Sequence, residues 1–117
     1  MDGEKGRINV RKKGIQYELR IAKEMRDMGY EECVSSRSES KRQDDLGIDL
    51  CYTGNWAIQC KAVERLGSYH TILNSMPKHG RINVVFHKKN RQGEVVAMSK
   101  SDFYRIIDLI NRHKLEL

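Results

Sequence analysis

The sequence lacks features that would place it in several classes of protein. It contains one proline among 117 residues and no apolar run near the roughly 20 residues that would cross a bilayer. We therefore expect no membrane span. The start of the chain has charged residues spread throughout and no apolar stretch, so neither a secretory signal nor an anchor is visible, and we expect an intracellular protein.

Cysteine and histidine are few, and their spacing is not that of metal ligands. The three cysteines contain no C-x-x-C pair, and Cys51 and Cys60 fall in segments with strand character. Buried, reduced thiols explain them better than a disulfide framework or a metal site. The four histidines also lack close-paired spacing, so we do not expect zinc.

Positive charge is what the chain has in excess. Lys and Arg number 22 against 16 Asp and Glu, which gives a net charge of +6. This balance suits a polyanionic partner, although it can also simply aid solubility. The basic residues that draw attention lie near the start and just before an acidic cluster: Arg7, Arg11, Lys12, Lys13, Arg37, Lys41 and Arg42. Basic residues beside acidic ones suggest a site that holds phosphates and a metal together.

The pattern of the chain changes near residue 14. Residues 1–13 are polar and basic, and we predict a flexible arm that could order on a nucleic acid backbone. Ile15, Leu19, Ala22, Met25 and Met28 then recur at helical spacing, which predicts an amphipathic helix from Gly14 to Met28. Residues 14–117 are expected to form a single domain.

Strand and helix signals alternate along the rest of the chain. Strands are predicted at 31–37, 46–52, 56–63, 82–87 and 94–98, with a polar loop at 38–45 and a short helical piece within 65–77. The second and third strands are expected to form a hairpin around Thr53-Gly54-Asn55. A capping sequence at Ser99 opens a final helix with the apolar stripe Phe103, Ile106, Ile107 and Ile110. The order α-β-β-β-(α)-β-β-α indicates an α/β fold.

One acidic residue falls on the apolar side of the first helix. Glu18 comes three residues after Ile15 and four before Ala22, which places its carboxylate on or beside the apolar stripe. Burying an unpaired carboxylate is costly, so a buried Glu18 needs a partner such as a metal or a lysine. From this residue alone, a glutamate at the edge of the stripe with its carboxylate in solvent is the simpler interpretation.

The predicted hairpin carries further polar side chains in otherwise apolar strands. Asp49 lies in the first strand, and Gln59 and Lys61 lie in the second, two apart and therefore on one face. A divalent cation takes oxygen ligands, which the Asp49 and Glu18 carboxylates, the Gln59 amide and the Cys60 backbone carbonyl could supply. Mg²⁺ fits this set. Lys61 would then position or deprotonate a water and stabilise charge on a phosphate, which predicts phosphodiester hydrolysis.

Asp49 with Gln59-Cys60-Lys61 ten positions later resembles the signature of the PD-(D/E)XK nuclease superfamily in its Q-x-K variant, and Glu18 corresponds to that superfamily's helix-one acid. The run Ser36-Arg37-Ser38-Glu39-Ser40 resembles the Arg/Ser loop of archaeal-type and phage Holliday junction resolvases. The segment 45–49 with the Q-x-K motif is also similar to the catalytic region of Mrr-type restriction endonucleases. The motifs cover about residues 14–63.

The resemblance implies a restriction-endonuclease-like fold, with a central mixed β-sheet flanked by helices. It implies a Mg²⁺-dependent endonuclease, for which Mn²⁺ can substitute, that acts on DNA as a homodimer and is encoded by a phage or prophage. The expected catalytic residues are Glu18, Asp49, Gln59 and Lys61. The expected DNA contacts are Arg37, Ser40, Lys41 and Arg42, with Arg11, Lys12 and Lys13 from the arm.

The motif departs from the superfamily pattern at two positions. Ile48 stands where proline precedes the aspartate, and Gln59 stands where a carboxylate is usual. The site therefore carries one negative charge fewer and could bind one ion rather than two. Asp45, or less readily Asp44, could supply the missing charge if the loop folds back.

Three functions remain open at this stage. Small size favours a junction resolvase, because the chain has no visible room for the target-recognition domain of an Mrr-type protein. A structure-nonspecific or restriction-type nuclease would use the same residues. A catalytically silent nucleic-acid-binding domain would result if Gln59 abolishes productive metal binding.

Overall fold

The computed structural model describes residues 2–116, with side chains described from Asn9 onward. It is an α/β fold in which helices flank a mixed β-sheet. In order, the elements are α1 (Asp2–Asp27), β1 (Val34–Ser35), α2 (Ser36–Glu39), α3 (Lys41–Asp45), β2 (Leu50–Cys51), β3 (Trp56–Lys61), α4 (Tyr69–Ser75), β4 (Ile82–Lys89), β5 (Gly93–Met98) and α5 (Lys100–Arg112). The predicted order is confirmed, but two short helices were not predicted: α2 begins within the predicted strand 31–37, and its end and α3 lie where a polar loop was expected.

The central sheet has the strand order β3-β4-β5. Strands β3 and β4 are parallel, with Trp56 opposite Ile82 and Lys61 opposite His87. Parallel neighbours need a crossover connection, and α4 lies within it. Strands β4 and β5 are antiparallel, so the predicted second strand pair is confirmed.

The hairpin predicted around residues 53–55 is wrong as a strand pairing. Strand β2 pairs with β1 in a separate antiparallel sheet, with Val34 opposite Cys51. The turn itself forms, since the Trp56 N–H donates to the Thr53 carbonyl at 3.1 Å. Tyr52 has a φ of 65°, and this left-handed residue turns the chain away directly after β2. One hydrogen bond still joins the two segments, from the Asp49 N–H to the Ile58 carbonyl at 2.8 Å.

Helix α1 is longer than the sequence predicted. It begins at Asp2, so residues 2–13, expected to be an arm, are helical in the backbone. No proline interrupts this segment, and each of its three glycines, Gly3, Gly6 and Gly14, lowers helix stability by about 1 kcal/mol relative to alanine. Met1 and the side chain of Arg7 lie outside the described part of the molecule.

The buried face of α1 also differs from the predicted stripe. Tyr17, Ile21 and Ala22 are buried against the sheet, whereas Leu19 is 54% exposed and Met28 is 78% exposed. The predicted stripe was wrong at these two positions, because the sheet selects a face centred on residues 17 and 21. Glu18 lies inside this face and is 4% exposed. The interpretation of Glu18 as an edge residue with its carboxylate in solvent is therefore wrong.

The sheet is covered on both faces. One core joins α1 to β3 and β4, and a second core joins the segment before β2 to α4. Its buried members are Ile48, Ala57, Met76 and Val85. The predicted burial of the three cysteines is confirmed, and all three are free thiols.

Helix α5 begins as predicted but buries little. The Ser99 hydroxyl accepts the Asp102 N–H at 3.1 Å, which confirms the N-terminal cap. Ile106 packs against the first core, but no residue of α5 is fully buried, and Phe103 is 50% exposed. The predicted apolar stripe is thus present and largely uncovered in one copy of the chain.

Within residues 2–116, no helix combines the length and the apolar character that a membrane crossing requires. Helix α1 has the length, with 26 residues, but it is rich in charged side chains.

Candidate active site

Asp49 is held against the backbone of β3. Its N–H donates to the Ile58 carbonyl, and its Oδ2 accepts the Cys60 N–H at 2.7 Å. Because the N–H and C=O of one strand residue point to the same side, the Cys60 carbonyl is also directed toward this edge of β3. The Asp49 carboxyl and the Cys60 carbonyl therefore converge, as the predicted ligand set requires.

The Asp49 carboxyl is not neutralised by an ion pair among the described residues. Burial raises the pKa of Asp49 to about 7, and the negative charges of Glu18 and Asp44 add to this effect. The Cys60 N–H and the positive charge of Lys61 act in the opposite direction. Near neutral pH this carboxyl is poised to exchange its proton for another cation.

Glu18 has a partner that the sequence did not predict. The Arg37 guanidinium binds it through both carboxylate oxygens, with Nε to Oε2 at 3.0 Å and Nη2 to Oε1 at 3.3 Å. The Ser35 hydroxyl donates to Oε2 at a longer 3.5 Å. Arg37 was predicted as a DNA contact, and the partner of Glu18 as a metal or a lysine. The structure instead brings Arg37 into the site.

Gln59 contributes a polar atom without a partner. Its Oε1 is buried and accepts no hydrogen bond from any described residue. Gly47, with a φ of 77°, lies against this amide, and a Cβ at Gly47 would come within 3.4 Å of Oε1. A buried carbonyl oxygen that lacks a donor carries an energetic cost which a bound cation would remove.

The described residues contain no group of three or more His, Cys, Asp or Glu side chains placed to hold a metal. The site has the Gln59 amide where the resemblance leads one to expect a further carboxylate. The Asp49 carboxyl, the Cys60 carbonyl and the Gln59 amide nevertheless supply oxygen donors, which suit a hard cation such as Mg²⁺. On the basis of the unpartnered Gln59 oxygen and the protonatable Asp49 carboxyl, the residues fit this ion.

Asp44 and Asp45, the two acids that could compensate for Gln59, differ in their surroundings. Both lie in α3, but Asp45 is exposed and Asp44 is half-buried. The charge of Asp44 acts on both Asp49 and Arg37. A short helix, rather than an irregular loop, sets the direction of each side chain, and which acid compensates for Gln59 stays a prediction.

The predicted DNA contacts fall into two exposed groups. Lys41 and Arg42 are exposed on α3, next to the segment that holds Asp49. Ser40 has a structural role, since its hydroxyl accepts the Gln43 N–H at 3.3 Å and caps α3. On α1, Arg11, Lys12 and Lys13 are exposed.

Lys13 connects the second group to the end of β3. It lines an open cavity of about 530 Å³ together with Arg20, Lys88 and residues 62–64, which directly follow Lys61. Lys13, Arg20 and Lys88 therefore lie beside the segment that follows Lys61, together with the acidic Glu64.

His87 was not identified from the sequence. It lies opposite Lys61 in the sheet and is buried, with Nε2 at 2.7 Å from the Val63 carbonyl and Nδ1 at 2.9 Å from the Tyr69 hydroxyl. Because a carbonyl only accepts, Nε2 carries a proton. The ring fixes the backbone two residues beyond Lys61. The available signal was a histidine in an apolar strand opposite a candidate catalytic lysine.

Comparison with other proteins gives no assignment. No protein-family model, no curated protein and no solved structure matches this chain significantly. The nuclease resemblance therefore remains a hypothesis from the motif, and the function must be argued from the site itself.

Proposed function

We propose that this chain is a metal-dependent DNA endonuclease that hydrolyses phosphodiester bonds at four-way junctions. The observation that carries the proposal is the convergence of the Asp49 carboxyl, the Glu18 carboxylate and the positive charge of Lys61 at one end of β3. Glu18 is buried and Asp49 is half-buried, and a purely structural role would not account for two carboxylates placed where they repel each other.

The same residues would bind the metal. Glu18, Asp49, the Gln59 Oε1 and the Cys60 carbonyl are the donors for one Mg²⁺, with Mn²⁺ as a substitute. When bound, the ion would supply Lewis acidity at the phosphate and lower the pKa of the attacking water. With Gln59 in place of a carboxylate, the donor set suits one ion better than two.

Lys61 would act on the reacting atoms. Its ammonium is half-buried at the end of β3, where it can orient the attacking water and stabilise the charge that develops on the phosphate. In hydrolysis the water oxygen forms a bond to phosphorus, the bond from phosphorus to the leaving sugar oxygen breaks, and that oxygen gains a proton. The buried His87 keeps this end of β3 in place.

The DNA backbone would follow the basic side chains on both sides of the site. Lys41 and Arg42 would contact phosphates on one side, and Lys13 with its neighbours Arg11 and Lys12 on the other. Such contacts carry little base information, which suits recognition of DNA by its shape. A restriction-type or structure-nonspecific nuclease would use the same residues and is separated from a resolvase only by substrate choice.

A homodimer would give the two cuts that a junction needs. The uncovered apolar residues of α5 and β5 support this part of the proposal. They comprise Val95, Val96, Phe103, Tyr104, Ile107 and Leu109. An apolar helix face beside the edge strand of the sheet is suited to a symmetric contact between two copies.

The test is cleavage of a synthetic four-way junction beside a linear duplex of the same arms, with Mg²⁺ or with EDTA. We expect paired, symmetric cuts in the junction alone, which are lost with EDTA and reduced at least 100-fold by Asp49→Asn or Lys61→Ala. Asp27→Asn is the matched control, because Asp27 is exposed at the far end of α1 and pairs only with Lys23.

Each alternative outcome has a distinct meaning. Equal cutting of both substrates would make the protein a general nuclease with the same site. DNA binding without metal-dependent cutting in any variant would contradict the enzyme proposal and favour the silent binding domain.

A further inference from the structure

Glu18 differs from Asp49 in having a full cationic partner, the Arg37 guanidinium. The Glu18 side chain is 5% exposed and meets the guanidinium through both oxygens, whereas the Arg37 side chain remains 41% exposed. A buried carboxylate requires a positive partner, and in the metal-free protein Arg37 provides it. The exposed part of the guanidinium faces solvent and is accessible to a phosphate.

The backbone that carries Arg37 is fixed, so its side chain can move alone. Ser35 caps α2 by accepting the Arg37 N–H at 3.3 Å, and the Ser36 N–H donates to the Asp49 carbonyl at 2.8 Å. The segment therefore stays attached to Asp49 whichever partner the guanidinium has. Lys41 and Arg42 are exposed on the next helix, so a phosphate held there would lie on the Arg37 side of the site.

A metal ion and Arg37 compete for the same oxygens. Both Glu18 oxygens are engaged by the guanidinium, and a second cation beside it would meet direct charge repulsion. A divalent ion held by Glu18 and Asp49 therefore weakens the attraction between Glu18 and Arg37 and favours release of the guanidinium. The released guanidinium can donate to a DNA phosphate, which it binds in the same bidentate geometry.

We propose that Arg37 is a switchable positioning residue: it holds Glu18 in the metal-free protein and moves to a DNA phosphate when a divalent ion takes Glu18. Metal and DNA then bind cooperatively. The metal releases Arg37 from Glu18, and the DNA phosphate gives the released guanidinium a new partner. The inference rests on the proposed metal and DNA site. It adds a coupling between the two ligands, in which each promotes binding of the other.

Metal binding without DNA is the first test. Mn²⁺ titration followed by calorimetry should show about tenfold tighter binding to Arg37→Gln than to wild type, because the competing cation is gone. Arg42→Gln is the matched control, since it removes the same charge from the neighbouring helix but no contact to Glu18, and its Mn²⁺ affinity should stay within about twofold of wild type.

The second test measures coupling in a form that does not depend on cleavage. DNA affinity is measured with and without Ca²⁺, as a non-hydrolysing ion, for wild type, Arg37→Gln and Arg42→Gln. We expect both variants to bind DNA more weakly, but only Arg37→Gln to lose most of the Ca²⁺ enhancement, by about tenfold. Loss of the same enhancement in both variants, or in neither, would overturn the switch.

The two levels of the proposal fail in different ways. If neither wild type nor Arg37→Gln binds Mn²⁺, the metal site and the proposed function are wrong, and the switch falls with them. If both bind Mn²⁺ equally well, the metal site stands and the switch is wrong. Should Arg37→Gln not fold, the Arg37 Nε–H resonance in wild type decides: a shift on adding Ca²⁺ without DNA supports displacement, and no shift contradicts it.

Discussion

Glu18 and Asp49 are neighbouring carboxylates that the protein compensates in different ways. Glu18 has the Arg37 guanidinium, whereas Asp49 has one backbone N–H and the nearby charge of Lys61. Burial therefore raises the pKa of Asp49 to about 7, well above that of the unfolded chain. The folded protein binds this proton more tightly than the unfolded protein, so the stability contributed by Asp49 is present below about pH 4 and is lost as pH rises through about 7.

Asp49→Asn should consequently stabilise the metal-free protein at high pH. In EDTA at pH 8 we expect the free energy of unfolding to rise by on the order of 1–4 kcal/mol, because the variant buries no charge. At pH 4 the difference should nearly vanish. Urea unfolding at both pH values measures it.

Asp27→Asn provides the comparison for this experiment, because its carboxylate is exposed on α1. It should give no stabilisation that grows with pH. A variant at Asp49 with wild-type stability at pH 8 would show that Asp49 is not held at a raised pKa. Asp49 would then lack the raised pKa that lets it exchange a proton for a cation near neutral pH.

At the scale of elements, α1 connects the core to the site. Ile21 and Ala22 pack against β3 and β4, and Glu18 stands one turn earlier on the same face. The apolar contacts of the helix thus set the position of the carboxylate relative to the strand that carries Lys61. Loss of packing at Ile21 would therefore shift the position of the Glu18 carboxylate.

The face assigned to α1 can be tested with two substitutions of similar size. Ile21→Ala should lower the free energy of unfolding by about 2–5 kcal/mol, because Ile21 is 1% exposed. Leu19→Ala, at an exposed position on the same helix, should cost less than about 1 kcal/mol. Chemical denaturation compares them, and equal losses would contradict the observed helix orientation.

At the scale of the whole molecule, α5 and β5 expose several large apolar side chains in one copy of the chain. Strand β5 is at the edge of the central sheet, and α5 follows it directly. A free edge and an apolar helix face together favour association. The proposed second copy would also place a second site on the opposed DNA strand.

Phe103→Glu should therefore disrupt the proposed dimer. We expect wild type to sediment as a dimer and Phe103→Glu as a folded monomer, because the new charge would be buried in the contact. Leu19→Glu is the control, since it puts the same charge at an equally exposed apolar position on α1. A wild-type protein that sediments as a monomer at all concentrations would remove the dimer from the proposal.

Much of the local structure follows from local signals. The Ser99 cap, the α4 segment and the β4–β5 pair were predicted because each depends on residues close together in the chain. The polar residues Asp49, Gln59 and Lys61 were also visible in this way, since an apolar strand makes a polar side chain conspicuous.

The sequence by itself therefore determined most of the elements, although not α2, α3 or the start of α1, and it determined the chemical types of the site residues. Tertiary structure alone decided the partner of β2, the buried face of α1 and the pairing of Glu18 with Arg37. The physical reason is that these depend on contacts between distant segments. Nineteen residues separate Glu18 from Arg37, and no periodicity or turn signal spans that interval. Only the packing of α1 on the sheet, beside the segment that carries Arg37, brings the carboxylate and the guanidinium together.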